Sequence, residues 1–226
     1  MRATIFTLID MLAKAVILPE PLYEFGAYRI PGQEARGQVQ SCFPGKAYIG
    51  CDMRWGPGVD RIEDLHQLTL ADTVIGTALL LDTIEHVREP WRAMAELHRC
   101  LRPGGIIIMT SVMFFPIHAY PDDYWRFTTS GFSSLLQSFD PIAVEMCGIN
   151  KFPHTVIGIA SKGPVDAAVG RAICDTVASW KHRGASSWRE LVMAVAPPFL
   201  FGPAYGIYDA ILQKRVAGQP EKPPEA

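Results

Sequence analysis

The stretch TVIGTALLLD, residues 73–82, constrains the fold most. It is a nearly continuous apolar run, as expected of a central strand buried on both faces, and such a strand needs helices above and below it. The flanking sequence agrees. From residue 20 to about 163, short apolar runs alternate with helical patterns, the sign of a parallel sheet covered by helices. PLYEFGA (21–27), AYIGCD (47–52), GIIIMTSV (105–112), IAVEMCGI (142–149) and HTVIGIASK (154–162) read as the other strands. GQEARGQVQSCF (32–43) reads as a short helix stopped by Pro44-Gly45. EPWRAMAELHRCL (89–101) reads as a helix with Pro90 in its first turn, an apolar stripe at Trp91, Met94, Leu97 and Leu101, and RPGG (102–105) as its stop. TSGFSSLLQSF (129–139) reads as a third. The expected class is α/β, a Rossmann-like, mostly parallel sheet with helices on both faces.

The pattern divides the chain of 226 residues into an amphipathic N-terminal helix (1–19), a sheet domain (20–163), a helical extension (164–215) and a Pro-rich, charged tail (216–226) expected to be disordered. Asp10 and Lys14 interrupt the apolar start, so a secretory signal is not expected. No uninterrupted apolar run reaches the roughly 18 residues of a membrane span. Lys and Arg total 21 against 23 Asp and Glu, with no basic block, and nucleic acid is not an expected partner. The five cysteines are widely spaced without a C-x-x-C pair, which fits a reducing cytoplasm and predicts no metal site.

In open α/β sheets ligands bind beyond the carboxyl ends of the strands. Those ends carry Glu24 and Gly26 after the first strand, Asp52 and Met53 after the second, and Leu81 and Asp82 after the central one. Asp52 follows Gly26 by 26 positions and Gly32 by 20, close to where dinucleotide folds place the acid that accepts ribose hydroxyls. The alternative is that Asp52 caps a turn. Gly26 allows a tight turn and close approach of a ligand. Tyr28 and Ile30 stand where a G-x-G-x-x-G loop has its later glycines, so the loop suits a cofactor without phosphates, S-adenosylmethionine rather than NAD.

These pieces, taken in order, resemble the class I S-adenosylmethionine-dependent methyltransferases, and within them the broad group with a Glu-His-Val turn after the fourth strand. The matching segments are YEFGA, YIGCDM, EDLHQL (63–68) and LLLDTIEHVREPWRAMAELHRCLRPGG (79–105). The resemblance covers about residues 20–163 and implies seven strands with the last antiparallel. It also implies Gly26 under the methionine part of the cofactor, Asp52 on the ribose, Asp64 and Leu65 at adenine, and backbone near Leu80 and Leu81 lining the cleft. The first motif departs from the family in lacking further glycines at Tyr28 and Arg29.

DTIEHV (82–87) puts Asp82, Glu85 and His86 near where a sulfonium methyl would point, and His86 is the first candidate for general base. The alternative is that Glu85 and His86 brace the next helix. FPIHAYPDDYWRFTTSGF (115–132) is a long connection dense in polar and aromatic residues, the mark of a lid or binding loop. His118, Tyr120, Tyr124, Trp125 and Arg126 are its substrate-binding candidates, and Asp123 is a second candidate base. Alternatively, Trp125 and Phe127 anchor the loop while Arg126 pairs with Asp122 or Asp123. The acceptor stays open among sugar, glycan, lipid-linked and other small molecules. A non-catalytic S-adenosylmethionine or nucleoside scaffold and a nicotinamide-dependent oxidoreductase are the competing readings. Residues 188–215, rich in aromatics, Pro and Gly, could form a peripheral membrane or homodimer surface, or pack on the sheet domain.

Overall fold

The computed structural model describes residues 2–29, 39–118, 122–149 and 152–184. Most of the helix expected at 32–43, Tyr120, and the segments 186–215 and 216–226 lie outside the described residues. The strands are β1 (Leu22–Phe25), β2 (Tyr48–Asp52), β3 (Arg61–Ile62), β4 (Ile75–Leu81), β5 (Leu101–Val112), β6 (Asp140–Ile149) and β7 (Phe152–Ser161). The helices are α1 (Ala3–Ala15), α2 (Pro90–Cys100), α3 (Thr129–Leu135) and α4 (Ala167–Gly184). One seven-stranded sheet runs in the order β3-β2-β1-β4-β5-β7-β6. β7 is antiparallel to both its neighbours and the other pairings are parallel. The α/β sheet predicted by the apolar runs is therefore present.

All seven residues of β4 are buried, because each face of the strand meets a helical layer. Ala78 and Leu80 join a core with Ala93, Met94 and Leu97 of α2 and Phe132 of α3. Leu79 and Leu81 point the other way, into a core with Ile5, Leu8, Ile9 and Leu12 of α1 and Ile173, Val177 and Trp180 of α4. The sequence pattern places residues 1–19 and 164–215 outside the sheet domain; α1 and α4 instead form one of its two covering layers. The physical reason is bare apolar surface. Leu22, Ile106, Ile108, Ile157 and Ile159 also face that side, and α1 and α4 close it. Trp180 is buried, and its indole N–H donates to the Thr4 carbonyl at 2.8 Å, joining α4 to α1.

Two local readings are corrected. Trp91, placed on the apolar stripe of α2 by its spacing, is 57% exposed and meets Trp125 edge-on at 6.1 Å instead. RPGG does follow the end of α2 at Cys100, but it lies inside β5, not before it. The register against β4 jumps from Ile75–Leu101 to Thr77–Ile106, so the strand bulges there, while Gly104 and Gly105 still exchange hydrogen bonds with Lys162 on the other side. β3, only two residues long, has no signature in the periodicity.

Trp180→Ala in the full chain should lower unfolding free energy by about 3–5 kcal/mol, the range for deleting a buried aromatic, measured by urea denaturation. A change below about 1 kcal/mol would show that α4 does not cover the core.

Candidate functional site

Gly26 ends β1 with φ +85°, the left-handed region that favours glycine. A Cβ there would lie 2.4 Å from Thr83 Oγ1, so the residue also permits close approach between the ends of β1 and β4. The Thr83 hydroxyl donates to the Phe25 carbonyl at 3.0 Å and fixes that approach. The amides of Gly26 and Ala27 both donate to the Cys51 carbonyl, folding the chain over the end of β2. Asp52 stands there, 8% exposed. Its Oδ1 accepts the Arg54 amide at 3.0 Å and its Oδ2 accepts the Tyr28 amide at 3.3 Å. Oδ1 also receives a long contact from Arg54 Nε at 3.4 Å, and Oδ2 keeps a further lone pair.

Tyr28 and Arg29 lean toward the loop after β2. The Tyr28 ring lies 4.7 Å from the Arg54 guanidinium carbon and fills the space a Gly56 Cβ would occupy. The Arg29 amide donates to Pro57, and its side chain lies against Gly58. Beyond β2, Met53 is 56% exposed. Asp64 accepts the backbone and ring N–H of His66 at 2.9 and 2.7 Å, while Leu65 is buried beside it. Glu24 accepts the Tyr48 hydroxyl at 2.6 Å, and burial raises its pKa. Leu81 turns its side chain into the α1/α4 core, leaving only its backbone at the rim.

Asp82, a cofactor-contact candidate by sequence, is engaged by the chain itself. Arg2 Nε and Nη2 reach its two oxygens at 2.8 and 2.7 Å, and the Thr110 hydroxyl adds a bond at 2.9 Å. Arg2 also donates to the Thr155 hydroxyl at 2.6 Å, tying the start of α1 to β4 and β7 together. Burial alone would raise the Asp82 pKa, but the Arg2 charge, its hydrogen bonds and Thr110 outweigh it and hold the carboxyl below its ordinary value.

Three residues farther on, a 3-10 turn over Ile84–His86 points Glu85 inward. Glu85 is fully buried, and neither carboxylate oxygen has a hydrogen-bond partner. Burial, followed by the nearby Asp82 charge, pushes its pKa up to about 8. Its backbone carbonyl accepts the amides of Tyr124 and Trp125, and the Ser111 hydroxyl, itself without a hydrogen bond of good geometry, lies close enough to favour the charged carboxylate slightly. His86 Nδ1 meets the Asp122 carbonyl, which fixes Nδ1 as the protonated nitrogen, and burial lowers the His86 pKa.

The connection after β5 is braced mainly by its own residues. Asp123 forms a bidentate pair with Arg126 and accepts the His118 amide at 2.8 Å. Although burial acts the other way, the Arg126 bonds and the His118 amide hold the Asp123 pKa down to about 2. So weak a base is unsuited to the proton-accepting role that its position in the sequence suggests. Arg126 also donates to the Trp125 and Pro116 carbonyls, so its guanidinium is not free to hold a substrate anion. Trp125 donates its indole N–H to the Val87 carbonyl at 2.9 Å and packs on the α2/α3 core with Phe127. The anchoring alternative thus describes Trp125, Arg126 and Phe127. Tyr124 stays 44% exposed with its hydroxyl on Asp122, and His118 is partly buried with its ring edge-on to His86 at 4.9 Å. The sequence reading passes over Glu85 as an isolated site, because its burial depends on the connection folding back over it.

Residues 48–109 match the family described as "Methyltransferase domain". No curated protein matches the chain by sequence. Similar solved structures include the [4+2]-cyclase SpnF, with TM-score 0.54, 16% identity, and coverage of 71% of this chain and 82% of that one. A 1,6-didemethyltoxoflavin N1-methyltransferase from Burkholderia thailandensis, solved with 1,6-didemethyltoxoflavin and S-adenosylhomocysteine, gives 0.52, 17%, 70% and 77%. An S-adenosylmethionine-dependent methyltransferase from Thermotoga maritima gives 0.51, 18%, 71% and 91%. At these identities the likeness shows the fold alone. The fold is the one these methyltransferase structures share, and residues 48–109 carry the sequence pattern of a methyltransferase domain. No helix among the described residues is long and apolar enough to cross a membrane.

Arg2→Ala would leave Asp82 buried without its partner, and we expect it to lower stability at pH 7 by about 3 kcal/mol. Because the folded pKa of Asp82 lies below its unfolded value of about 3.9, the pair's contribution is complete above that pH and is lost as pH falls through the folded value. Asp82→Asn should therefore flatten the acid limb of a stability–pH curve measured by denaturant unfolding. An unchanged acid limb would contradict the assignment.

Proposed function

We propose that this protein binds S-adenosylmethionine across the ends of β1 and β2 and transfers its methyl group to a small-molecule, sugar or lipid-linked acceptor. The observation that carries the reading is the pairing of the left-handed Gly26 turn with the buried Asp52 carboxylate at adjacent strand ends. The residues present fit the cofactor. Asp52 Oδ2 keeps a lone pair for one ribose hydroxyl, Oδ1 can take the second by releasing its long contact to the Arg54 side chain, and Met53, Asp64 and Leu65 frame the adenine side. Tyr28 and Arg29 pack against the loop after β2, on Arg54, Gly56 and Gly58.

S-adenosylmethionine supplies a methyl carbon already activated by positive sulfur, so the chain has mainly to bind, align and exclude water. The loop carrying His118, Tyr124 and Trp125 lies over the Glu85–His86 turn and provides the wall on the acceptor side. If the acceptor is a hydroxyl, His86 Nε2 is the acceptor for its proton, since Nδ1 is already committed to the Asp122 carbonyl. A carboxylate acceptor needs no base.

A second reading keeps the ligand and drops the chemistry. It rests on the two protein amides that already occupy Asp52, which would weaken the ribose contact. The nicotinamide alternative gains no such observation.

Titration calorimetry of the full chain with S-adenosylmethionine and S-adenosylhomocysteine should show binding of both. Asp52→Ala should weaken each about 10–100-fold, the loss expected for hydrogen bonds to a charged group. Absence of binding to either ligand rejects both readings. Binding without turnover across hydroxyl, carboxylate and amine acceptors selects the scaffold.

A further inference from the structure

We infer that Glu85, His86 and His118 form a binding site for one divalent transition-metal ion at the rim beyond β4 and β5. One ligand-capable atom from each of the three lies within 4.8 Å of the others. Neighbouring ligands about 2.1 Å from zinc stand about 3.4 Å apart, so a side-chain adjustment of about an ångström closes the set.

The donors are arranged as a metal site requires. His86 directs Nδ1 to the Asp122 carbonyl, and His118 directs Nδ1 toward the Pro116 carbonyl and the Asp123 carboxylate, each at 3.2 Å. Both rings therefore keep Nε2 for an ion, with the opposite nitrogen held by an oxygen acceptor, as in metal-bound histidines generally. Asp123 gains a role here. Its pair with Arg126 and its bond to the His118 amide make it the positioning residue that sets the third ligand.

The independent observation is Glu85. A carboxylate with both oxygens buried and unpartnered is costly unless something compensates it. The two arginines whose charge reaches Glu85 are already paired elsewhere, Arg2 to both oxygens of Asp82 and Arg126 to Asp123. A bound cation would supply the missing charge and both missing contacts. Two imidazoles and one carboxylate favour Zn²⁺, Co²⁺ or Fe²⁺ over Mg²⁺ or Ca²⁺, which take oxygen donors. Three protein ligands leave a coordination position for water or, on the proposed methyltransferase reading, for an oxygen of the acceptor; with His86 Nε2 on the ion, the ion would then replace that nitrogen as the group that activates an acceptor hydroxyl.

The test uses the full chain, treated with a chelator and dialysed, then titrated with Co²⁺ and followed by its visible ligand-field bands, with Zn²⁺ calorimetry in parallel. One equivalent should bind, and Glu85→Gln and His118→Ala should each weaken binding about 100-fold while far-UV circular dichroism stays unchanged. Glu85→Gln discriminates further, because it removes the carboxylate that would hold the ion while keeping the shape of the side chain. It should abolish the rise in melting temperature that Zn²⁺ gives the wild type and leave that of the metal-free protein nearly unchanged. Asp123→Asn should weaken binding about 10-fold, the order seen when the group behind a ligand is lost. No stoichiometric binding by the wild type, or binding unchanged in Glu85→Gln and His118→Ala, would overturn the site. No S-adenosylmethionine is present, so a failure here is separate from a failure of the proposed function.

Discussion

β4 has to be covered on both faces along its whole length, and much of the molecule follows from that requirement. One face is closed by α2 and α3, which come from within the alternating strand and helix pattern. The other is closed by α1 and α4, drawn from the two ends of the described chain. Covering that face with α1 brings Arg2 to the end of β4, where it meets Asp82. A packing demand in the core thus fixes the electrostatics of the rim.

The rim carboxylates have different fates, and environment decides among them. Asp82 is neutralised by a bidentate guanidinium, and Asp123 is held in the same way by Arg126. Asp52 is held only by two amides and a long contact to the Arg54 side chain, so it remains able to accept a ligand's hydroxyls. Glu85 has no ion-pair partner among the described residues and lies close to the Asp82 charge and to two histidines. The paired groups build the frame, and the two carboxylates left without a full side-chain partner are the ones available for chemistry. This division of labour is consistent with a fold in which a cofactor lies over β1 and β2 and a second molecule over β4 and β5.

The α/β class, the long strands and the position of Asp52 were legible in the sequence, because each depends on local periodicity or on a short offset from a glycine. The partner of Asp82 was hidden because tertiary structure sets it: Arg2 lies 80 positions from Asp82, and nothing in DTIEHV signals it. The Arg126 pair was one of two sequence alternatives, and a loop, with no fixed period, gave no ground for choosing it over substrate binding or for choosing Asp123 over Asp122. The metal-type cluster was hidden for a related reason. Glu85 and His86 are adjacent, but His118 comes from another strand end, and no C-x-x-C or H-x-x-x-H spacing announces the set. An acid-histidine doublet directly after a buried strand, followed by a histidine after the next strand, is the signal available in hindsight.

The central claim is that the rim over β1 and β2 is a cofactor site, and a crystal structure of the protein grown with saturating S-adenosylhomocysteine tests it most directly. The account predicts both ribose hydroxyls within hydrogen-bonding distance of Asp52, adenine between Met53 and Leu65, and the sulfur facing the Thr83 end of β4. A structure in which Tyr28 and Arg29 occupy that volume and the ligand is absent, or bound elsewhere, would contradict it.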